Sequence, residues 1–430
     1  MTTHAIPWPH MELSGFDASL SPEERSAQAG LRRFAAEVMR PIGRALDQMD
    51  PDAAYAPGSP FWDFHKVFAG LGVGPEATAS LEPAAAARLE GVVIAELGWG
   101  DVGLAVSAGA GEMPMRASLA SGSRELVEMC QGRLGCWIAT QPDRGSDGLT
   151  LYSQERAAGA KGNVGNLTAR FVGDEIVING QSSSWVSNGY VAEVGLLDIV
   201  ADYGDGYHAA NGDTFGCNIV TPLDLKGITR GKALRKLGKR PLPQGEIFFD
   251  DVRVPRRFAV ATRDDYEIKH AMAWAHAGTA MSHVSTGLAR AALEMALNYV
   301  NQRRQGGALL ADLQLTQYRL GIMGAKVEAI KAMARHVAEY TRLSPAPHPY
   351  FTAAGKAFCS SEMFVVCNEA LQLFGGVGLT QEYPIEKLLR DARAMQIEDG
   401  ETNLLFMHFG FLMAQVNRHA GWGAEAKSRS

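Results

Sequence analysis

Apolar and polar positions along the chain change their period twice. Ser21-Pro22-Glu23-Glu24 opens a helical regime: the serine can cap, proline suits a first turn, and Glu24 sits where a capping box needs an acid. Leu31, Phe34, Ala35 and Val38 then recur at helical spacing, and Pro41 is expected to interrupt them. Helical texture continues to about residue 130. From Gly135 to about Pro255 the pattern switches to short β-rich runs between turn residues, as in LTARFVGDEIVINGQSSSWVSNG and GEIFFDDVRVP. Gly173-Asp174 separates two runs that read as neighbouring strands. Beyond Pro255 long helical periods return. Leu320, Met323, Val327, Ile330, Ala334 and Val337 step by three and four, the seam of helices packed side by side, and Leu293, Ala296, Leu297 and Val300 mark a partner helix. SPAPHP at 344–349 breaks the period before another helix. The prediction is a multidomain α+β chain with an N-terminal helical domain (1–132), a middle β domain (133–256) and a C-terminal four-helix bundle (257–430).

Composition narrows the function classes. A chain of 430 residues exceeds one small core, and its 46% apolar content is ordinary for a globular protein. A net charge of -6 from 41 basic and 47 acidic residues gives no electrostatic reason for a nucleic-acid partner. The longest apolar runs stop short of a membrane span. Cys130, Cys136, Cys217, Cys359 and Cys367 are scattered without a C-x-x-C pair, so neither a disulfide framework nor a zinc site is predicted. MTTHAIPWPHMELSG lacks a basic segment followed by an apolar one, so a cytoplasmic location is expected and the sequon Asn166-Leu167-Thr168 carries no weight.

Several short signals dissolve on inspection. SAGAGEMP at 107–114 contains G-x-G without a preceding strand, and small residues packing helices account for it. GITRGKA at 227–233 lacks phosphate-loop spacing and reads as a basic turn. His270, His276 and His283 are spaced by six and seven, not by the three or four that stack two metal ligands on one helical face. The stretch RDARAMQIEDGETN at 390–403 is different in kind, because Glu398, Asp399 and Glu401 crowd around Gly400. Taken alone, such a cluster reads as a solvated loop.

The order of motifs changes that reading. ATQPDRGSD at 139–147, NGQSSSWVSNG at 179–189, KLGKRPLPQGEIFFDDVRVP at 236–255, YVNQRRQGG at 299–307 and ALQLFGGVGLTQEYPIEKLLRDA at 370–392 together resemble the acyl-CoA dehydrogenase family, over roughly Ser21 to Ala414. The resemblance implies FAD bound between the β domain and the bundle, an acyl-CoA substrate, an electron-transfer flavoprotein as acceptor, and a homo-oligomer, dimer or tetramer. It implies α,β-dehydrogenation of the thioester by proton abstraction and hydride transfer to flavin.

The resemblance also assigns residues. Thr140 matches a threonine bonded to the flavin ring, and Ser146 lies where the acyl-CoA chain passes. Trp185 packs against the flavin and Ser187 bonds near its reactive nitrogen, although a buried strand tryptophan explains Trp185 equally well from residues alone. Arg303 reaches the diphosphate of the neighbouring subunit's FAD, as a guanidinium fork suits phosphate oxygens. Gln305 and Gln314 fall at further cofactor positions, and Gly306 stands where the family usually has phenylalanine. Gln372, Gly375 and Gly376 close over the cofactor, and Thr402 joins the cofactor set; a glycine ending a helix is a frequent event that also accounts for this segment, and both can be true.

For the acidic loop, the resemblance places the catalytic base at Asp399, where many members have glutamate, with Glu398 as runner-up and Gly400 against the substrate. The family's other base position, near Ala277, has no acid in AMAWAHAGTAM. An ordinary aspartate has a pKa of about 4, so burial must strengthen its basicity. Two alternatives share these residues: a flavin oxidase or monooxygenase resembling nitroalkane oxidase, and a non-catalytic subunit of a heteromeric acyl-CoA dehydrogenase. The acyl group is open.

Overall fold

The computed structural model describes residues 20–78, 81–151 and 162–419; the N-terminal stretch MTTHAIPWPHMELSG lies outside them. Helix α1 (Pro22–Phe34) starts with the predicted capping box: Glu24 N–H donates to Ser21 Oγ at 3.2 Å, and Ser21 N–H donates to Glu24 Oε2 at 2.8 Å. Pro41 does not interrupt the helical run. The chain widens into a π-helical turn over Ala35–Met39, Arg40 N–H reaches back to Ala35 O, and α2 (Arg40–Gln48) carries Pro41 in its first turn, where no N–H is required. Among the described residues seven further helices follow in this part: α3 (Pro51–Ala54), α4 (Pro60–Ala69), α5 (Pro75–Thr78), α6 (Pro83–Gly100), α7 (Val102–Gly111), α8 (Met113–Ser121) and α9 (Arg124–Cys130).

The middle of the chain forms one sheet of β1 (Gly135–Ile138), β2 (Thr168–Val172), β3 (Glu175–Gln181), β4 (Val194–Asp202), β5 (Gly216–Pro222), β6 (Ile228–Arg230), β7 (Ile247–Pro255) and β8 (Ala259–Ala261). Its order is β6-β7-β3-β2-β4-β5-β8, with β1 also pairing β4. Strands β1 and β2 run parallel to β4, and the other pairings are antiparallel. The predicted hairpin is present: Val172 pairs with Glu175 across Gly173-Asp174, and Gly173 has φ +58°. The stretch expected to be a basic turn is instead strand β6, and Arg230 donates to Gly189 O at 2.6 Å. That arginine clamps backbone carbonyls that the sheet leaves unpaired.

Among the described residues five α-helices follow: α10 (Tyr266–Val300), α11 (Gln314–Leu343), α12 (Pro349–Phe374), α13 (Ile385–Met395) and α14 (Thr402–His419), with a small hairpin of β9 (Arg304–Gln305) and β10 (Ala308–Leu309) after α10. The predicted seam on α11 is buried at Met323, Val327, Ile330, Ala334 and Val337. Each large apolar side chain so buried contributes about 1.5–3 kcal/mol relative to exposure. One hydrophobic cluster runs from Phe34, Phe61 and Leu104 through Leu288 and Leu293 to Met363 and Met395, so both helical regions share a core and the sheet has its own. Among the described residues no helix is long and apolar enough to cross a membrane.

Candidate active site

The acidic loop joins α13 to α14 and is closed by backbone chemistry. Glu398 N–H bonds to Ala394 O at 3.2 Å, extending the last turn of α13, while Thr402 gives both its N–H (3.1 Å) and its Oγ1 hydroxyl (2.8 Å) to Gln396 O. The residues between turn sharply: Asp399 has φ +50° and Gly400 φ +92°. Aspartate tolerates the left-handed region better than most residues, but position 400 needs glycine for a second reason. A Cβ there would lie 2.6 Å from Leu405 Cδ2. Glu401 turns away to cap α14, accepting from Asn403 N–H and Leu404 N–H at 3.0 Å each, and its own N–H donates to Ser146 Oγ at 2.9 Å.

Two lysines that the motifs do not single out lie beneath this loop. Lys239, itself at φ +49° and 1% exposed, places its ammonium on the Glu398 carboxylate and beside Met395 Sδ at 3.5 Å. Lys356, on α12 and fully buried, donates to Gly400 O at 2.7 Å. The 236–240 segment approaches α13 so closely that a Cβ on Gly238 would sit 2.3 Å from Arg390 O. Helix α13 is anchored in turn by Lys387, whose ammonium bridges Asp101 at 2.7 Å and Asp391 at 2.6 Å in the buried interior. The available signal for these residues was charge inside apolar helical runs, as in AAGKAF around Lys356, which is rare unless the charge is partnered.

A cavity of about 960 Å³ opens over the loop. It gathers Thr140, Ser146, Trp185, Ser187, Glu398, Asp399 and Gly400 along one lining, bringing together residues that lie up to 260 positions apart. Trp185 is 61% exposed at this lining, not buried in the sheet core. Thr140 Oγ1 and Ser183 Oγ share a hydrogen bond of 2.6 Å, and Gln244 holds the Trp185 carbonyl at 3.1 Å. Lys236 donates to Lys239 O, Leu242 O and Gln244 Oε1, and burial lowers its pKa to about 7.

The carboxylates lining the cavity differ in their partners. Glu90 is ion-paired with Arg342, Glu112 with Arg116 at 2.9 Å, and Glu398 with Lys239. Asp399 is partly buried, and among the described residues no hydrogen bond or ion pair engages its carboxylate. Burial raises its pKa above the ordinary aspartate value and Glu398 adds to the rise, while Lys239 and Lys356 oppose it. Its backbone N–H is likewise unpartnered among the described residues. Helix α10 supplies Ala277 and its neighbours to the same cavity but no carboxylate.

The remaining cofactor candidates lie elsewhere. Arg303, Gln305, Gln314, Gln372, Gly375 and Gly376 are exposed and none lines the cavity. They gather at the end of the bundle where Tyr299 of α10 stacks on Phe374 of α12, with ring centroids 4.1 Å apart. The Arg303 guanidinium donates to Gln305 Oε1 there, at 3.3 Å. Thr402 is buried with its hydroxyl engaged by the loop, so its visible role is to close that loop. Among the described residues no cluster of His, Cys, Asp or Glu suits a metal ion, and His270 instead pairs with Asp198 at 2.8 Å.

Comparison with known proteins gives the arrangement a context. Residues 268–410 match the model of the acyl-CoA dehydrogenase C-terminal domain. A probable acyl-CoA dehydrogenase of Mycobacterium tuberculosis is 26% identical over 330 residues, spanning 73% of this chain and 77% of its own. Glutaryl-CoA dehydrogenase of Desulfococcus multivorans is 29% identical over 280 residues, 64% of this chain and 65% of its own. A solved glutaryl-CoA dehydrogenase of Mycobacterium smegmatis, in complex with FADH2, shares the fold with a TM-score of 0.75 at 24% identity, covering 93% of this chain and 97% of that one. With helices, sheet and bundle in the same order, the chain shares the fold of the solved acyl-CoA dehydrogenases, is similar in sequence to curated members of that family, and matches the family's C-terminal domain over residues 268–410.

Proposed function

We propose that the protein is an FAD-dependent acyl-CoA dehydrogenase in which Asp399 removes the proton from the carbon next to a thioester carbonyl. The observation that carries this reading is the pairing pattern: of the carboxylates lining the cavity, Asp399 is the one without a cation in contact among the described residues. A carboxylate held by an ammonium is a poor base, because giving up that contact opposes protonation; this sets Glu398 aside. Asp399, dried by burial and pushed upward by its neighbour, holds a proton more readily than ordinary aspartate.

The chain's residues fit FAD. Trp185 offers an exposed indole to a planar ring and Thr140 and Ser187 offer hydroxyls at the same lining, while Arg303 and the glycines Gly375 and Gly376 suit a diphosphate in the open. When bound, FAD supplies the two-electron acceptor that dehydrogenation requires. The Asp399 N–H, unpartnered among the described residues, donates in this reading to the thioester oxygen as negative charge builds there. Ser146 holds the loop through Glu401, which links the β domain to the base. The apolar walls from α6, α7 and α10 exclude water from the carboxylate.

The same reading takes an electron-transfer flavoprotein as acceptor, a homo-oligomer of the family kind and a cytoplasmic location. Support for the oligomer is the exposure of Arg303, Gln372 and Gly376 away from the cavity, where a second subunit's cofactor would meet them. Five free, buried cysteines suit a reducing compartment. The test is anaerobic flavin spectroscopy of the loaded protein against straight, branched, cyclic and dicarboxylic CoA thioesters. Bleaching by at least one class is the expected result; a flavin that no thioester reduces, yet that yields peroxide with nitroalkanes in air, overturns the reading.

A further inference from the structure

Lys356 takes no direct part in the proton transfer, yet it is among the most deeply buried charges in the molecule. An ammonium carries three donors, and among the described residues Lys356 uses one, toward Gly400 O. A second, smaller cavity of about 20 Å³ adjoins it, large enough for a single water. Leu149, Trp274, Tyr350 and His408 wall this space, and Lys356 and Asp399 both face it. The two charges are not in ion-pair contact; they share one enclosed spot behind the loop.

We propose that Lys356 is a positioning residue for the base: through Gly400 O it fixes the turn that presents Asp399, and as a buried cation it sets how tightly Asp399 holds its proton. This rests on reading Asp399 as the base.

The other charges around the loop are already committed. From the loop itself, Glu398 is taken by Lys239 and Glu401 by the amide groups of α14. On the 236–240 segment, Lys236 is taken by two carbonyls and Gln244, and Lys239 divides its charge between Glu398 and Asp399. On α13, Asp391 is held by Lys387. On α12 and α14, the Tyr350 and His408 rings lie tilted against each other with centroids 4.7 Å apart. Lys356 has no carboxylate in contact among the described residues, and Asp399 is the strongest charge acting on it. Burial alone would otherwise drive Asp399 toward its protonated, inactive form, and a counter-charge in the same enclosure opposes that.

The experiment compares wild type, Lys356→Gln, Lys356→Met and Asp399→Asn as flavin-loaded proteins. It records kcat/KM against pH with a thioester that wild type turns over, together with thermal melting. Glutamine keeps a donor for Gly400 O without charge; methionine keeps neither. Removing the cation disfavours the carboxylate, so the acidic limb of kcat/KM is expected to move up by about one pH unit in both variants, a roughly tenfold loss on that limb that shrinks as pH rises. Lys356→Gln is expected to melt closer to wild type than Lys356→Met. An unmoved limb in a folded variant overturns the proposal while leaving Asp399 as the base. Near-normal turnover by Asp399→Asn removes the base reading and the proposal with it. If neither lysine variant folds, wild type decides: burial lowers Lys356 to about 8, and its loss of charge is expected to add an alkaline inflection to kcat/KM, separate from any near 7 where burial puts Lys236; a profile without it overturns the proposal.

Discussion

Replacing Lys387 by methionine isolates the buried charges that hold α13, and with it the acidic loop, in place. The ammonium bridges Asp101 Oδ2 at 2.7 Å and Asp391 Oδ2 at 2.6 Å, and all three side chains are buried. Methionine preserves the apolar stem but leaves two carboxylates facing each other without a cation. Breaking such a pair costs about 3–5 kcal/mol. Burial already raises the Asp101 pKa, so Asp101 takes up a proton more readily than an ordinary aspartate, which keeps the loss toward the lower end. Unfolding entropy scales to about 0.9 kcal/mol per kelvin for a chain of this length, so the melting temperature should fall by about 4 °C. A carboxyl whose folded pKa is raised destabilises the fold where it is ionised, and the deficit shrinks as pH falls through that pKa. Differential scanning calorimetry of both proteins at neutral and mildly acidic pH checks this. A deficit below about 1 °C, or one that grows toward acid, refutes the account of α13 as held by an ionised bridge.

The acidic loop gives three further outcomes. Asp399→Asn keeps the shape of the side chain and removes the proposed base, so anaerobic flavin reduction by a thioester should slow by about 10²–10⁴-fold with ligand binding retained, as read by stopped-flow absorbance and ligand titration. Gly400→Ala forces a Cβ to within 2.6 Å of Leu405 at φ +92°; this strain, about 1–3 kcal/mol, should cost activity well before it costs global stability, as judged from turnover beside circular dichroism melts. Glu401→Ala removes the acceptor for Asn403 and Leu404 N–H at the start of α14, and a chemical denaturation series should register a loss of about 1 kcal/mol.

What the sequence made legible was whatever repeats locally. The capping box at Ser21, the turn at Gly173-Asp174 and the α11 seam are set by neighbours within a few positions, and the structure has each of them. Pro41 misled because the helical run changes type just before it: after the π turn over Ala35–Met39 the proline falls in the first turn of α2, where its missing N–H is not required. Strand β6 was misread because it is three residues long and exists through its pairing with β7. At the site, the acidic loop was visible as a string of letters, but not the division of labour within it. Glu398 and Asp399 are adjacent in sequence and chemically alike. Only the lysines that approach from 159 positions upstream of Glu398 and 44 upstream of Gly400 distinguish them, and side chains that converge from such separations leave no periodic mark.

Those buried ions also explain why the loop is not simply packed in place with apolar side chains. Replacing an ion network by hydrophobic residues often costs no stability, so stability alone is a weak reason to keep one. Helix α13 already buries Ile385, Ala392 and Met395, contacts that a small slide or rotation would alter little. A bridge from Lys387 to both Asp101 and Asp391, with Lys239 N–H on Asp391 at 2.5 Å, is met in one register alone. That register sets where α13 ends, and the chain reaches Asp399 four residues after Met395. A methyl-sized displacement there would separate the Asp399 carboxylate, one methylene shorter than glutamate, from the carbon it is proposed to deprotonate, so on that reading directional charge contacts serve the position of Asp399 more than the stability of the fold.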